Sequence, residues 1–159
     1  MERSHDEHDR ANPNPQRPDH VMAVGVRVSP VRRGFLGLYL LTALVVVAGV
    51  FLQAFSIAAY ARGTGEDALD MHKTVGFLTH SVEIIVFLAA LIGYWGLWRK
   101  VGVALLLPVI GTIQVILVGD TGKSGDWING LHGLFALIVL LLALALARDG
   151  LRSLRPSTT

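Results

Sequence analysis

The chain has no cysteine. Disulfides, cysteine-ligated zinc, iron–sulfur clusters and thiol chemistry are therefore all excluded. Charge is also scarce. Asp, Glu, Lys and Arg make up 16% of the 159 residues, against about 25% in an ordinary soluble domain. With a mean hydropathy of +0.53, that deficit argues against a soluble enzyme. No strand pattern is present, so the Gly-rich stretches Gly63-Thr64-Gly65 and Gly122-Lys123-Ser124-Gly125 read as turns rather than phosphate loops. Ser56 and Ser81 lack the base and acid of a nucleophilic site.

What is present is apolar sequence, 52% of the chain, gathered in four blocks long enough to cross a bilayer. The sequence predicts an all-α membrane protein, an antiparallel up-down-up-down bundle of four transmembrane helices with a disordered N-terminal tail. Residues 1–33 form that tail, because Asn12-Pro13-Asn14-Pro15-Gln16-Arg17-Pro18 cannot hold a helix. The transmembrane domain covers residues 34–148, with spans at about 34–60, 70–98, 101–119 and 127–147. Pro108 should kink the third span and free the Ala104 carbonyl. Residues 149–159 form a short cytoplasmic tail.

Orientation follows from the cations. Of the 14 lysines and arginines, eleven lie on the side of the termini: six in the tail, then Arg99, Lys100, Arg148, Arg152 and Arg155. Only Arg62, Lys73 and Lys123 lie on the other. The positive-inside bias places both termini in the cytoplasm and the Gly/Asp loops outside. Tyr60 and Trp127 then suit the outer interface, and Tyr94, Trp95 and Trp98 the inner one.

The two halves also repeat. Each reads as a span with a glutamine, a Gly/Asp outer loop, and a span with a histidine. Gln53 precedes His72 by 19 residues and Gln114 precedes His132 by 18. At a rise of ~1.5 Å per residue, Gln114, His132, His80 and Gln53 lie ~9–13 Å below the outer boundary, while His72 sits above them near the interface. Such residues are costly in hydrocarbon and should face the bundle interior. Interhelical hydrogen bonding is the bland explanation, and it suits the glutamines best.

The histidines point further. Haem needs an apolar slot and neutral imidazoles on opposite faces of the iron, and spans 2 and 4 are diagonal in a cyclic four-helix bundle. Depth favours His80 with His132 as the pair. Repeat spacing favours His72 with His132. His72 and His80 are ~12 Å apart along one helix, so one haem cannot use both. Glu83, one turn from His80, is either a proton carrier, an acidic partner for the imidazole, or a neutral acid bonded to backbone. Arg62, Lys73 and Lys123 at the outer rim are placed to pair with haem propionates or are ordinary loop charges.

The second half, Gln114-Val115-Ile116-Leu117-Val118-Gly119 followed by Leu131-His132-Gly133-Leu134-Phe135-Ala136-Leu137, resembles heme A synthase. The first half echoes it in Asp70-Met71-His72-Lys73. That family has eight spans in two four-span halves, so this chain resembles one half. The resemblance implies haem-ligand histidines at the head of span 4 and in span 2, and an acidic residue at the outer end of span 2, for which Asp70 is the nearest counterpart. The family's acidic residue is a glutamate set further from the histidine, and its outer loops can carry cysteines. Those departures favour haem binding alone over the full synthase activity. Residues 34–148 also resemble a family of small four-span actinobacterial membrane proteins of unknown function, on His72, His80 and His132.

The sequence thus predicts a cytoplasmic-membrane protein that binds haem b between spans 2 and 4 and transfers electrons. Its expected partners are the lipid bilayer and a membrane redox partner or further copies of itself, with no nucleic acid. The alternatives are a cofactor-free scaffold or accessory subunit, and a small proton-linked transporter using Glu83 and the histidines. No enzymatic activity is assigned.

Overall fold

The computed structural model describes residues 29–119 and 126–155. Residues 1–28 of the expected tail and the second outer loop with Lys123 lie outside the described residues, whereas residues 30–33, also expected in the tail, begin α1. Four helices follow in order: α1 (Pro30–Ala61), α2 (Glu66–Gly93), α3 (Trp98–Gly119) and α4 (Asp126–Leu154). All four are long and apolar enough to cross a membrane. The protein is an all-α bundle and a multi-pass membrane protein.

The helix ends have local causes. Ser29 caps α1, its hydroxyl accepting from the Arg32 N–H at 3.3 Å, with Pro30 at the start, where a missing N–H costs nothing. The chain reverses over Gly63 and Gly65, whose φ angles of 89° and 105° favour glycine. Glu66 and Asp67 occupy the first turn of α2, where carboxylates complement the helix dipole. α2 consequently begins four residues before the expected Asp70. It also ends five residues before the expected Trp98, because Gly96 at φ 84° turns the chain into α3. α3 continues through Pro108. α4 runs past the expected Ala147 to Leu154. Its last turns are held by Lys100 Nζ on Asp149 Oδ1 at 2.8 Å and Tyr94 Oη with Ser153 Oγ at 3.0 Å.

Each helix packs on two neighbours: α1 and α3 each touch α2 and α4. Among the described residues the backbones of α1 and α3, and those of α2 and α4, stay apart. The order is cyclic, with α2 and α4 on a diagonal. The buried stripe of α1 is Leu36, Tyr39, Ala43, Val46 and Val50, an alternation of three and four residues that matches left-handed knobs-into-holes packing. Glu83, Val86, Ala90 and Gly93 of α2 follow the same step.

Small residues let the backbones approach. A Cβ on Gly49 of α1 would collide with the Thr79 hydroxyl of α2, and one on Gly93 would lie 3.0 Å from Leu36 Cδ2. The outward faces are the reverse. Leu41, Phe51, Phe55, Phe77, Ile116 and Leu141 are 60–73% exposed, a surface suited to lipid rather than water. Tyr94, expected at the inner interface, is instead buried and packs edge-on against Tyr39 at 5.2 Å between centroids. Trp95 and Trp98 remain exposed.

Candidate functional site

The earlier start of α2 changes the depth of its histidines. His72 lies six residues into α2 and His132 six residues into α4, so both sit ~9 Å from their helix starts. The structure brings these two together across the diagonal. Their ring centroids are 6.2 Å apart and the planes cross at 70°.

Each ring is held in the same way. His72 Nδ1 is 3.0 Å from the backbone carbonyl of Gln53, and His132 Nδ1 is 3.2 Å from that of Gln114. A carbonyl only accepts, so each Nδ1 carries the proton and donates it. In a neutral imidazole that leaves Nε2 with a free lone pair, the tautomer a metal ligand needs. The glutamines therefore act through their backbone rather than their amides. The Gln53 carbonyl also accepts from Ser56 Oγ at 3.0 Å. Ser56 is fully buried, and its part in the site is support rather than chemistry. The repeat seen in the sequence is thus a repeat of geometry: glutamine carbonyl on one helix, histidine on the next.

His80 is engaged elsewhere. Its Nδ1 lies 2.9 Å from Glu83 Oε2, and Thr112 Oγ1 lies 3.4 Å from its Nε2. Thr112 Oγ1 also donates to the Pro108 carbonyl at 2.7 Å, a carbonyl on the helix that proline interrupts. With that hydroxyl proton so placed, Nε2 faces the Thr112 oxygen and Nδ1 faces the Glu83 carboxyl. Glu83 is buried at 3% exposure, and His80 is its side-chain partner. Gly111 makes room for it, since a Cβ there would meet the Glu83 carboxylate and lie 2.8 Å from His80 Nδ1. Thr112, Gly111 and Ser56 carried no signal beyond being small or hydroxylated in apolar spans.

Two cavities flank the His72–His132 pair. One of about 330 Å³ extends toward His80, Glu83 and Gly111. The other, about 570 Å³, extends between apolar walls that include Ile57, Ala136 and Leu140. Both include Val50, Gln53, His72, Lys73, Gln114 and His132. Lys73 thus reaches the site. It also pairs with Asp70 at 3.3 Å in the open, so Asp70 touches the rim and not the histidines. Arg62 caps the end of α1, exposed, and lines neither cavity.

The donor set fits haem in three respects. Two imidazoles with free Nε2 atoms are the axial requirement. The ring centroids, 6.2 Å apart, are close enough for both imidazoles to hold one iron atom. Apolar space lies on both sides of the pair. Among the described residues no three His, Asp or Glu side chains converge, and two ligands are too few for a bare zinc or iron ion. A porphyrin brings four nitrogens of its own. No family model, curated protein or solved structure matches the chain.

Proposed function

We propose that this protein is a small b-type membrane cytochrome, holding one haem between α2 and α4 with His72 and His132 as axial ligands. One observation carries the proposal: the two imidazoles meet across the bundle diagonal at 6.2 Å, and each is turned by a backbone carbonyl so that Nε2 is free. The haem would supply one-electron chemistry. The chain supplies the ligand tautomer, the apolar slot and, through Lys73, a cation at its mouth. His80 is left out of the proposed ligand pair, because both its nitrogens have partners. The likeness of the His72 and His132 segments to heme A synthase points the same way. The lysine and arginine bias supports cytoplasmic termini, which would put the haem near the outer leaflet of the cytoplasmic membrane.

A second reading has an observation of its own. Each histidine–carbonyl bond joins neighbouring helices, and such bonds hold cofactor-free membrane bundles together. The absorbance spectrum of the detergent-purified protein separates the two. The cytochrome reading expects a Soret band with sharp α and β bands on reduction. A colourless protein, expressed with ample haem, means a scaffold.

A further inference from the structure

A third cavity, of about 950 Å³, lies at the opposite end of the bundle, where α2 turns into α3. It is independent of the histidine site. Its walls are apolar, with Leu97, Val103, Leu106 and Leu146 among them, and its polar lining is Tyr39, Arg99, Lys100 and Asp149.

The polar groups divide into used and unused. Lys100 is paired with Asp149 and lies 4.5 Å over the Tyr94 ring, so these two charges cancel. Arg99 is exposed and makes no ion pair among the described residues. Tyr39 is 1% exposed, and among the described residues its hydroxyl has no hydrogen-bond partner, although no fully enclosed polar atom is left unbonded. Tyr39 is one of the residues that line the cavity. The start of α3 is also open. Lys100 and Val101 N–H groups both bond the Leu97 carbonyl, whereas those of Trp98 and Arg99 find no carbonyl among the described residues. A helix start with free N–H groups favours an anion. This end of the bundle also carries Arg32, Arg33, Arg148 and Arg152.

We propose that this cavity binds an anionic phospholipid. Its phosphate sits at the Arg99 guanidinium and the α3 N-terminus, the Tyr39 hydroxyl donates to a glycerol ester oxygen, and the acyl chains run along Val103, Leu106 and Leu146. A basic pocket between spans on the positive side of the membrane suits such a headgroup. A cation with no ion pair among the described residues, a buried hydroxyl and apolar walls together suit a ligand with both a charged and an apolar part.

Native mass spectrometry of the detergent-purified protein with added phosphatidylglycerol or phosphatidylcholine tests this. The expected result is one retained phosphatidylglycerol and little phosphatidylcholine. Arg99→Gln should weaken retention roughly tenfold or more, as for a lost bond to a charged group, and Tyr39→Phe roughly threefold to tenfold. Arg152→Gln, outside the cavity, should leave it unchanged. Far-UV circular dichroism checks that each variant is folded. Equal retention of both lipids, or equal weakening by Arg152→Gln, overturns the site in favour of unspecific adhesion. Displacement of the lipid by inorganic phosphate identifies a free anion as the ligand instead. A lipid-free dimer identifies a second copy as the occupant. None of these outcomes bears on whether the protein binds haem.

Discussion

Gly49→Ala tests whether close packing of α1 on α2 sets the histidine site. The added methyl would occupy the place of the Thr79 hydroxyl and lie 3.2 Å from both Thr79 Cβ and Cγ2. None of these atoms is the end of a long side chain, so the helices must separate or Thr79 must leave its rotamer. Overpacking of this kind costs about 1–3 kcal/mol. The clash is with one residue, so removing that residue should relieve it. Thr79→Ala alone deletes buried contacts for about 1 kcal/mol. The double variant should then be more stable than the two losses added together, by about 0.5–3 kcal/mol. Thr79→Val keeps the bulk and should give no relief. Gly49 lies one turn before Gln53, whose carbonyl holds His72. Forcing the helices apart should therefore also loosen His72. Unfolding in mixed micelles, followed by circular dichroism, gives the free energies. A neutral Gly49→Ala, or equal relief from Thr79→Ala and Thr79→Val, would refute the packing described.

The remaining predictions concern topology, the tail and the buried acid. Cysteines at Gly65 and Lys123 should react with an impermeant maleimide in intact cells, whereas labelling at Ser157→Cys would reverse the orientation. A chain starting near Pro30 should insert and purify normally, since Arg32 and Arg33 remain. Loss of insertion would show that the tail is structural. Gly111→Ala should destabilise the bundle by about 1–3 kcal/mol, and Glu83→Ala in the same chain should recover part of that loss. No recovery would mean that the two do not share the space.

Much of the fold was legible because the bilayer sets span length and the turns carry glycine. The boundaries were not. Glu66 and Asp67 read as loop residues by charge, yet they begin α2, because carboxylates suit a helix N-terminus. That difference of four residues sets His72 as far into α2 as His132 is into α4. The glutamine–histidine spacing was the sound signal, because it recorded an interhelical bond made twice. That the bond uses the glutamine backbone was beyond the sequence, since a carbonyl leaves no mark on residue identity. Knobs-into-holes spacing was present on α1 but hidden, because spans are apolar on every face and the buried stripe differs only in being smaller.

The most direct test is the low-spin optical and electron paramagnetic resonance spectrum of His72→Ala, His80→Ala and His132→Ala beside the unaltered protein. The proposed function predicts six-coordinate low-spin haem in the unaltered protein and in His80→Ala. It predicts loss of haem, or conversion to five-coordinate high-spin haem, in both His72→Ala and His132→Ala. An unchanged low-spin spectrum in His132→Ala would contradict the account, as would loss of low-spin haem in His80→Ala with His72→Ala unaffected.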